Sequence, residues 1–587
     1  MQDLSKSLIL LNGELKTLQI ASISKLGATA FRVSFKNNPK SYTYSADKVV
    51  WLTNPRWLVQ ELCKVYRGGR LQTDVTEIWQ FEAGHSVYWR IKYRSGYEGE
   101  YAEGQLNVVK TCLDEETSKN TFTYLKQVAA INPLRKEEDK EGILSQIYEK
   151  VDFIDDKTAA ACYINPGKHK VRKLSHKDLI YPFGCNASQK KAVAAAFEHQ
   201  VSVVQGPPGT GKTQTILNVI ANIVRNGKTV LVVSNNNSAI TNVQEKLEKY
   251  GLAFIVAPLG CKENKELFIS QQTLVPTEVS LWSCSMQDGM RMKSTLHDTL
   301  RSLDNVYALL NEDAMLRQEQ QSVDLEWRHF CMDNGIDEHT PLERRVQSSL
   351  IIRLWLHYQS KADGTLIAPD GLWSRITEGL KSLWMRIICR YRLRLHNKFE
   401  QADMKPLVIE LQTLYYLNRR IEIEERLETI RQELSTYDAD LLTKTLTDTS
   451  MTLFKASLHG RYDKKESVLF NDTKDMKAHG EDFLKRYPVV LSTTFSARSC
   501  VFGDKPYDYI IMDEASQVSI ETGALALTCA NNAVIVGDTL QLPNVVTDED
   551  RTKLTAIMEQ YHIPEGYDCA KNSFLESVRA IIRNVPE

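Results

Sequence analysis

Residues 201–213 restrict the possible folds of this chain more than any other stretch. They read Val-Ser-Val-Val-Gln-Gly-Pro-Pro-Gly-Thr-Gly-Lys-Thr, and a helix-like run follows over 214–225. A short apolar run, a glycine-rich turn and a helix in that order fit the phosphate-loop (Walker A) pattern, with Gly206 and Gly211 five apart and Lys212 and Thr213 after them. The spacing has a physical reason. Glycines let backbone N–H groups curl around a phosphate with no Cβ in the way. The helix start adds the positive end of a dipole. Lys212 reaches the β- and γ-phosphates, and the Thr213 hydroxyl is a ligand for Mg²⁺. Gly206, Pro207, Pro208, Gly209, Thr210, Gly211, Lys212 and Thr213 are therefore the candidate ATP-binding residues.

A phosphate loop needs a parallel sheet behind it, and the flanking sequence supplies one. Residues 229–234 form a near-continuous β-branched run, as a strand buried on both faces requires. Helical patterns over 188–197, 214–225 and 242–250 alternate with strands, which predicts βαβ units. The alternation stops at about 262 and resumes after 475 with short apolar runs at 488–492, 509–512 and 533–536. One α/β sheet is thus written in two pieces. The intervening 262–475 reads as a helical, coiled-coil-like arm. Leu296, Leu300, Leu303, Tyr307 and Leu310, and then Leu411, Leu414, Leu417, Ile421, Leu427, Ile430 and Leu434, step by three and four.

The run at 509–512 ends in Asp513-Glu514-Ala515-Ser516, placing two acids at the C-terminal end of a buried strand. Open α/β sheets bind ligands there. Asp513 is the candidate Mg²⁺ holder and Glu514 the candidate base for the attacking water. The run at 533–536 leads into Gly537-Asp538 and Gln541, which can sit near a γ-phosphate.

Elsewhere the reading is coarser. Residues 1–110 are β-rich, and their dense aromatics (Tyr42, Tyr44, Trp51, Trp57, Trp79, Tyr88, Trp89 and Tyr93) read as a β core, with a base-stacking platform as the alternative. Residues 111–178 look like a helical connector that ends in the basic run 168–177, a linker or a phosphate-backbone contact. Residues 380–398 carry Lys381, Arg386, Arg390, Arg392, Arg394 and Lys398 with no acid, which suits either a packed arm helix or an anion-binding one. The expected organisation is 1–110, 111–178, a first part of the lobe at 179–261, the arm at 262–475 and a second part of the lobe at 476–587. A net charge of −1 confines any nucleic-acid affinity to local patches. The eleven cysteines form no Cys-x-x-Cys pair, so a reducing, cytoplasmic setting without structural zinc is expected. No run is long and apolar enough to span a membrane.

Taken together, residues 206–213, 513–516 and 537–542 resemble the superfamily 1 helicases, in the up-frameshift and immunoglobulin-mu-binding branch. The resemblance covers about 180–260 and 485–587. It implies a RecA-like lobe that couples ATP and Mg²⁺ to movement on DNA or RNA. It makes Lys212, Asp513, Glu514 and Gln541 catalytic, and it makes Gln189, in Asn186-Ala-Ser-Gln189, an adenine reader. Ser234, Asn235 and Asn237, and Ser492, Thr493 and Thr494, match segments that touch the nucleic-acid backbone. Members of this family carry a second RecA-like lobe with arginine fingers. No matching motif follows Gln541, so that lobe is expected from a downstream segment or a partner chain. An ATP-gated nucleic-acid-binding or scaffold protein without unwinding activity is the alternative. Strand-stimulated ATP turnover separates the two.

Overall fold

The computed structural model describes residues 4–132, 142–172, 178–342, 344–363, 382–393, 395, 404–463, 468–502, 505–541, 546–582 and 586. The chain divides into two compact units, one of residues 1–290 with 449–587 and the other of 291–448.

Six parallel strands form the centre of the first unit. They are β1 (Val201–Gln205), β2 (Val230–Ser234), β3 (Val256–Pro258), β4 (Val489–Thr493), β5 (Tyr507–Asp513) and β6 (Ala530–Gly537). The order across the sheet is β1-β6-β5-β2-β4-β3. The two pieces of sequence are therefore interleaved, and neither forms a half-sheet of its own. Almost every residue of these strands is buried, which accounts for their unbroken Val, Ile and Leu content. Register fixes the functional edge. Ser234 at the end of β2 lies opposite Thr493 on one side and Asp513 on the other, and Gln205 lies opposite Gly537. The strand ends that carry the candidate motifs thus share one edge.

Residues 111–178 do more than connect. The helices Glu116–Ile131 and Ala159–Ile164 put Phe122, Leu125, Val128, Ala129 and Tyr163 into the same apolar core as β1, β4 and β5. Buried phenols tie this layer to the lobe. Tyr124 donates to the Tyr567 carbonyl at 2.8 Å, Tyr148 to the Glu521 carbonyl at 2.6 Å, and Tyr567 to the Tyr163 carbonyl at 2.5 Å. The apolar spacing 122, 125, 128 and 129 was the available sign of a packed face. Within the basic run, residues 173–177 lie outside the described residues.

Ahead of these helices, residues 7–110 form small antiparallel sheets. Their aromatics divide. Trp89, Tyr93 and Tyr101 pack into one core, while Trp57 and Tyr42 remain exposed. Arg90 and Glu100 form a buried ion pair at 2.7 Å, and Arg90 also donates to the Ser7 carbonyl at 2.5 Å.

In the second unit, the long helix Met286–Asn334 runs antiparallel to Lys405–Ser435. Two bidentate pairs show the direction: Arg426 with Glu312 and Arg419 with Glu319, so a seven-residue step along one helix matches a reverse step along the other. The expected stripe holds at Leu296, Leu300 and Leu303, but Val306 is buried where the stepping predicted Tyr307, and Leu310 is exposed. Of the basic segment, Lys381, Arg394 and Lys398 lie outside the described residues. Its helical part buries Met385, Ile388, Cys389 and Leu393.

Candidate ATP site

The turn after β1 has the conformation that its glycines allow. Gly209 and Gly211 have φ of +87° and +85°. A Cβ on Gly211 would stand 2.2 Å from the Gln189 amide nitrogen, and one on Gly206 would stand 2.6 Å from the Thr210 hydroxyl. The loop is cinched from inside. Thr210 Oγ1 donates to the Pro207 carbonyl at 2.7 Å, and Lys212 Nζ donates to the Gly206 carbonyl at 2.8 Å. That carbonyl occupies the ammonium group in this structure. The helix Lys212–Arg225 begins at Gly211 and carries no acid in its first turn.

Gln189 is fully engaged. Its Oε1 accepts from the Asn186 N–H in a capping box, and its Nε2 donates to the Thr210 carbonyl at 3.1 Å. It therefore braces the phosphate loop in this structure. Two residues unforeseen from sequence add to that brace. Asn218 and Asn222, fully buried on the loop's own helix, bond the backbone of Phe183, Gly184 and Ile180 at 2.7–3.2 Å. Asparagines four apart on one helix face were the signal.

The acids stand opposite the loop. Asp513 is buried, and its Oδ1 accepts the Glu514 N–H at 2.9 Å. Burial first, and the Glu514 charge second, push the Asp513 carboxyl up to about 6, against the pull of that N–H and of Lys212. Glu514 sits at φ +55°, a left-handed conformation rare for a side chain of this kind. Its Oε2 is buried and has no hydrogen-bond partner among the described residues, and the same holds for Gln541 Oε1. Gly537 makes this turn possible, since a Cβ there would meet the Ser516 and Ala515 nitrogens at 3.2 and 3.3 Å. The Gly537 carbonyl accepts the Gly206 N–H at 3.2 Å and links the two motifs. Asp538 caps its own turn through the Leu540 N–H. Residues 542–545 lie outside the described residues.

Lys212, Thr213, Glu514 and Gln541 line one cleft of about 600 Å³. Its further wall holds Phe183, Tyr250, Lys246 and Lys249, none of them expected from sequence, with Phe183 and Tyr250 edge-to-face at 5.1 Å. Lys246 and Lys249 share a helix face three residues apart and add positive charge. The chemistry of the cleft suits Mg·ATP: a glycine cradle, a lysine, a hydroxyl, and Glu514 and Gln541, each with an oxygen unpartnered among the described residues, while Asp513 is buried next to Glu514 and is not part of the lining.

The candidate strand-contact residues behave differently from one another. Ser234, Ser492 and Thr494 are buried, with Ser234 Oγ accepting the Asn236 N–H. Thr493 and Asn235 are half-buried, and Asn237 is exposed at the start of the helix Asn237–Lys249. The register that brings these motifs together also turns three of the hydroxyls inward.

Fold and site define a P-loop nucleoside-triphosphatase with a RecA-like sheet. A family model described as an AAA domain matches residues 184–349 and 359–549, and the chain belongs to that family, with the superfamily 1 helicases of the up-frameshift type. The uncharacterized ATP-dependent helicase MG140 of Mycoplasma genitalium is 23% identical over 424 residues, 58% of this chain and 38% of that protein. The regulator of nonsense transcripts 1 homolog of Drosophila melanogaster is 39% identical over 121 residues, 20% of this chain and 10% of the relative. The DNA-binding protein SMUBP-2 of Rattus norvegicus is 43% identical over 69 residues, 12% and 7%. The chain thus spans well under half the length of each of these relatives.

Two results are expected at this site. Lys212→Ala lowers nucleotide affinity at least ~10-fold, about 1.4 kcal/mol, and leaves the fold intact. Titration calorimetry checks it, and unchanged affinity contradicts the assignment. Asp513→Asn stabilises the ligand-free protein at pH 7. Because the folded carboxyl titrates near 6 instead of 3.8, the native state holds a proton that the unfolded chain has released over that window. Stability therefore falls as pH rises from about 4 to 6, and the whole cost, about 2–3 kcal/mol, is present at pH 7. Thermal melts of both proteins at pH 4.5 and 7 should show the gap opening with pH.

Proposed function

We propose that this protein is an ATP-dependent nucleic-acid helicase or translocase, hydrolysing ATP with Mg²⁺ to move along a DNA or RNA strand. The observation that carries the reading is a hydrogen bond across the working edge. Asn235 Nδ2, in the loop after β2, donates to the Gln517 carbonyl at 3.1 Å, in the turn that follows Asp513 and Glu514. A change at the acids is thereby felt at a loop that matches a strand-contacting motif. Mg²⁺, held by Thr213 and Asp513, would supply charge neutralisation at the phosphates. Lys212 holds the β- and γ-phosphates, Glu514 orients a water and takes its proton, and Gln541 contacts the γ-phosphate end. Gln189 braces the loop, and would read adenine only by exchanging the contacts its amide makes to Asn186 and Thr210. Thr493, Asn235, Asn237 and the helix start at Asn237 contact the strand backbone, with Ser234, Ser492 and Thr494 shaping those loops from within.

Among the described residues no arginine lines the cleft. We therefore assign the transition-state arginines to a second RecA-like lobe, in the same polypeptide or a partner chain. Eleven free cysteines fit a cytoplasmic location. The reading requires linkage between sites. Strand affinity, measured by fluorescence anisotropy, should differ at least ~5-fold between a non-hydrolysable ATP analogue and ADP. Identical affinities would sink it.

A further inference from the structure

A larger cleft, of about 1280 Å³, opens at the opposite end of the same sheet. Thr229, Asp508 and Asn531, beside the starts of β2, β5 and β6, form its floor. The ATP cleft and the candidate strand-contact loops lie at the strand ends. With seven residues in β5, the two sites are about 23 Å apart along the strands. The far cleft is walled on one side by the hairpin of Cys63–Arg67 and Arg70–Leu71, and on the other by the helix Gly480–Arg486.

Its charge is out of keeping with a chain of net charge −1. Eight Lys and Arg residues line it against four Asp and Glu, so it is a local concentration of positive charge. Part of that charge is already committed. Lys505 pairs with Glu481 and Lys485 with Asp482, while Arg461 donates to backbone carbonyls and Arg498 to the Thr528 hydroxyl. Asp508 is likewise engaged by Thr229. Lys64, Arg70, Lys157 and Lys477 remain, with no carboxylate at ion-pair distance among the described residues. Lys64 instead lies over the Phe153 ring at 4.6 Å. Lys64 and Arg70 come from the hairpin, Lys157 from the turn before the helix Ala159–Ile164 and Lys477 from the helix Thr473–Ala478, so the cations are spread over three segments of the lining, a distribution that suits a chain of phosphates better than a single one.

We propose that this cleft is a second contact for single-stranded nucleic acid, holding the phosphate backbone at the end of the lobe away from the ATP site. The proposal rests on the nucleic-acid reading above. A strand must be long to engage both ends, so length is the discriminating variable.

The test uses fluorescein-labelled oligo(dT) and oligo(U), as 6-mers and 30-mers, with the full chain and a Lys64→Ala, Arg70→Ala, Lys157→Ala, Lys477→Ala variant. Anisotropy is read from 50 to 200 mM salt. The variant should bind the 30-mer at least ~10-fold more weakly, with a log–log salt slope shallower by up to about 3, at roughly 0.7 per lost contact. Its 6-mer affinity and its ATP turnover without nucleic acid should be unchanged. A charge-preserving set (Lys64→Arg, Arg70→Lys, Lys157→Arg, Lys477→Arg) should restore 30-mer binding, which excludes a folding defect. An unchanged 30-mer affinity and slope would overturn the proposal, and so would equal losses for both lengths, which would make this the primary track. If the parent chain binds neither oligomer, the nucleic-acid reading itself fails.

Discussion

Glu514→Gln lowers ATP turnover by at least about 10²-fold and leaves Mg·ATP affinity within a few-fold of the parent. Glutamine keeps the shape and loses the base. Three features of the site point to this residue and not to its neighbour. The Asp513 carboxylate already accepts the Glu514 N–H and is buried, as a metal-holding carboxylate should be. Glu514 is held at φ +55°, a conformation that costs on the order of 1–3 kcal/mol and persists where surrounding structure imposes it. Its Oε2 is buried and unpartnered among the described residues, and the residue lines a cleft shared with Lys212 and Gln541. The Lys212→Ala and Glu514→Gln variants should therefore separate cleanly, the first losing binding and the second losing the chemical step. Single-turnover hydrolysis beside calorimetric binding reads both. Intact turnover in Glu514→Gln would remove it from the base role.

Supplying a second RecA-like lobe raises the turnover of residues 1–587 by about 10³-fold or more. The cleft offers lysines at 212, 246 and 249 and, among its described residues, no arginine. Lysines and a phosphate loop supply part of the ground-state contacts. The charge that spreads over the transferring phosphoryl group needs additional donors, and arginines supplied to P-loop enzymes account for about 10³–10⁵ in rate. Two lobes that open and close are also what gives a motor its stroke. Residues 1–587 by themselves should bind Mg·ATP weakly, hydrolyse it slowly and leave a duplex intact. Turnover and strand separation are compared for the chain with and without that lobe. Fast unwinding by 1–587 as a monomer would place the arginine finger within the arm or the N-terminal sheets.

The sheet and its ATP edge were legible because buried parallel strands need unbroken β-branched runs and because phosphate chemistry fixes the spacing of Gly206, Gly211, Lys212 and Thr213. The same runs could not reveal their order. Strands at 489–493 and 507–513 flank the one at 230–234, an arrangement set by packing and handedness across an insertion of more than two hundred positions. Residues 111–178 read as a connector because their sequence is polar and mixed in charge, yet Leu125 and Val128 lie in the lobe's core. Ser234, Ser492 and Thr494 matched strand-contacting motifs, but residues at the ends of buried strands alternate between inside and outside, and a motif does not say which. Lys246, Lys249 and Tyr250 were missed for the opposite reason. They belong to an ordinary amphipathic helix, and only the fold brings them to the cleft.

Steady-state ATP hydrolysis, measured with the second lobe present at increasing concentrations of single-stranded DNA or RNA, tests the central claim most directly. The account predicts a rate that rises several-fold and saturates with strand concentration, with the rise abolished by Glu514→Gln and weakened by added salt. A rate indifferent to either nucleic acid, in protein that binds and hydrolyses ATP, would contradict it.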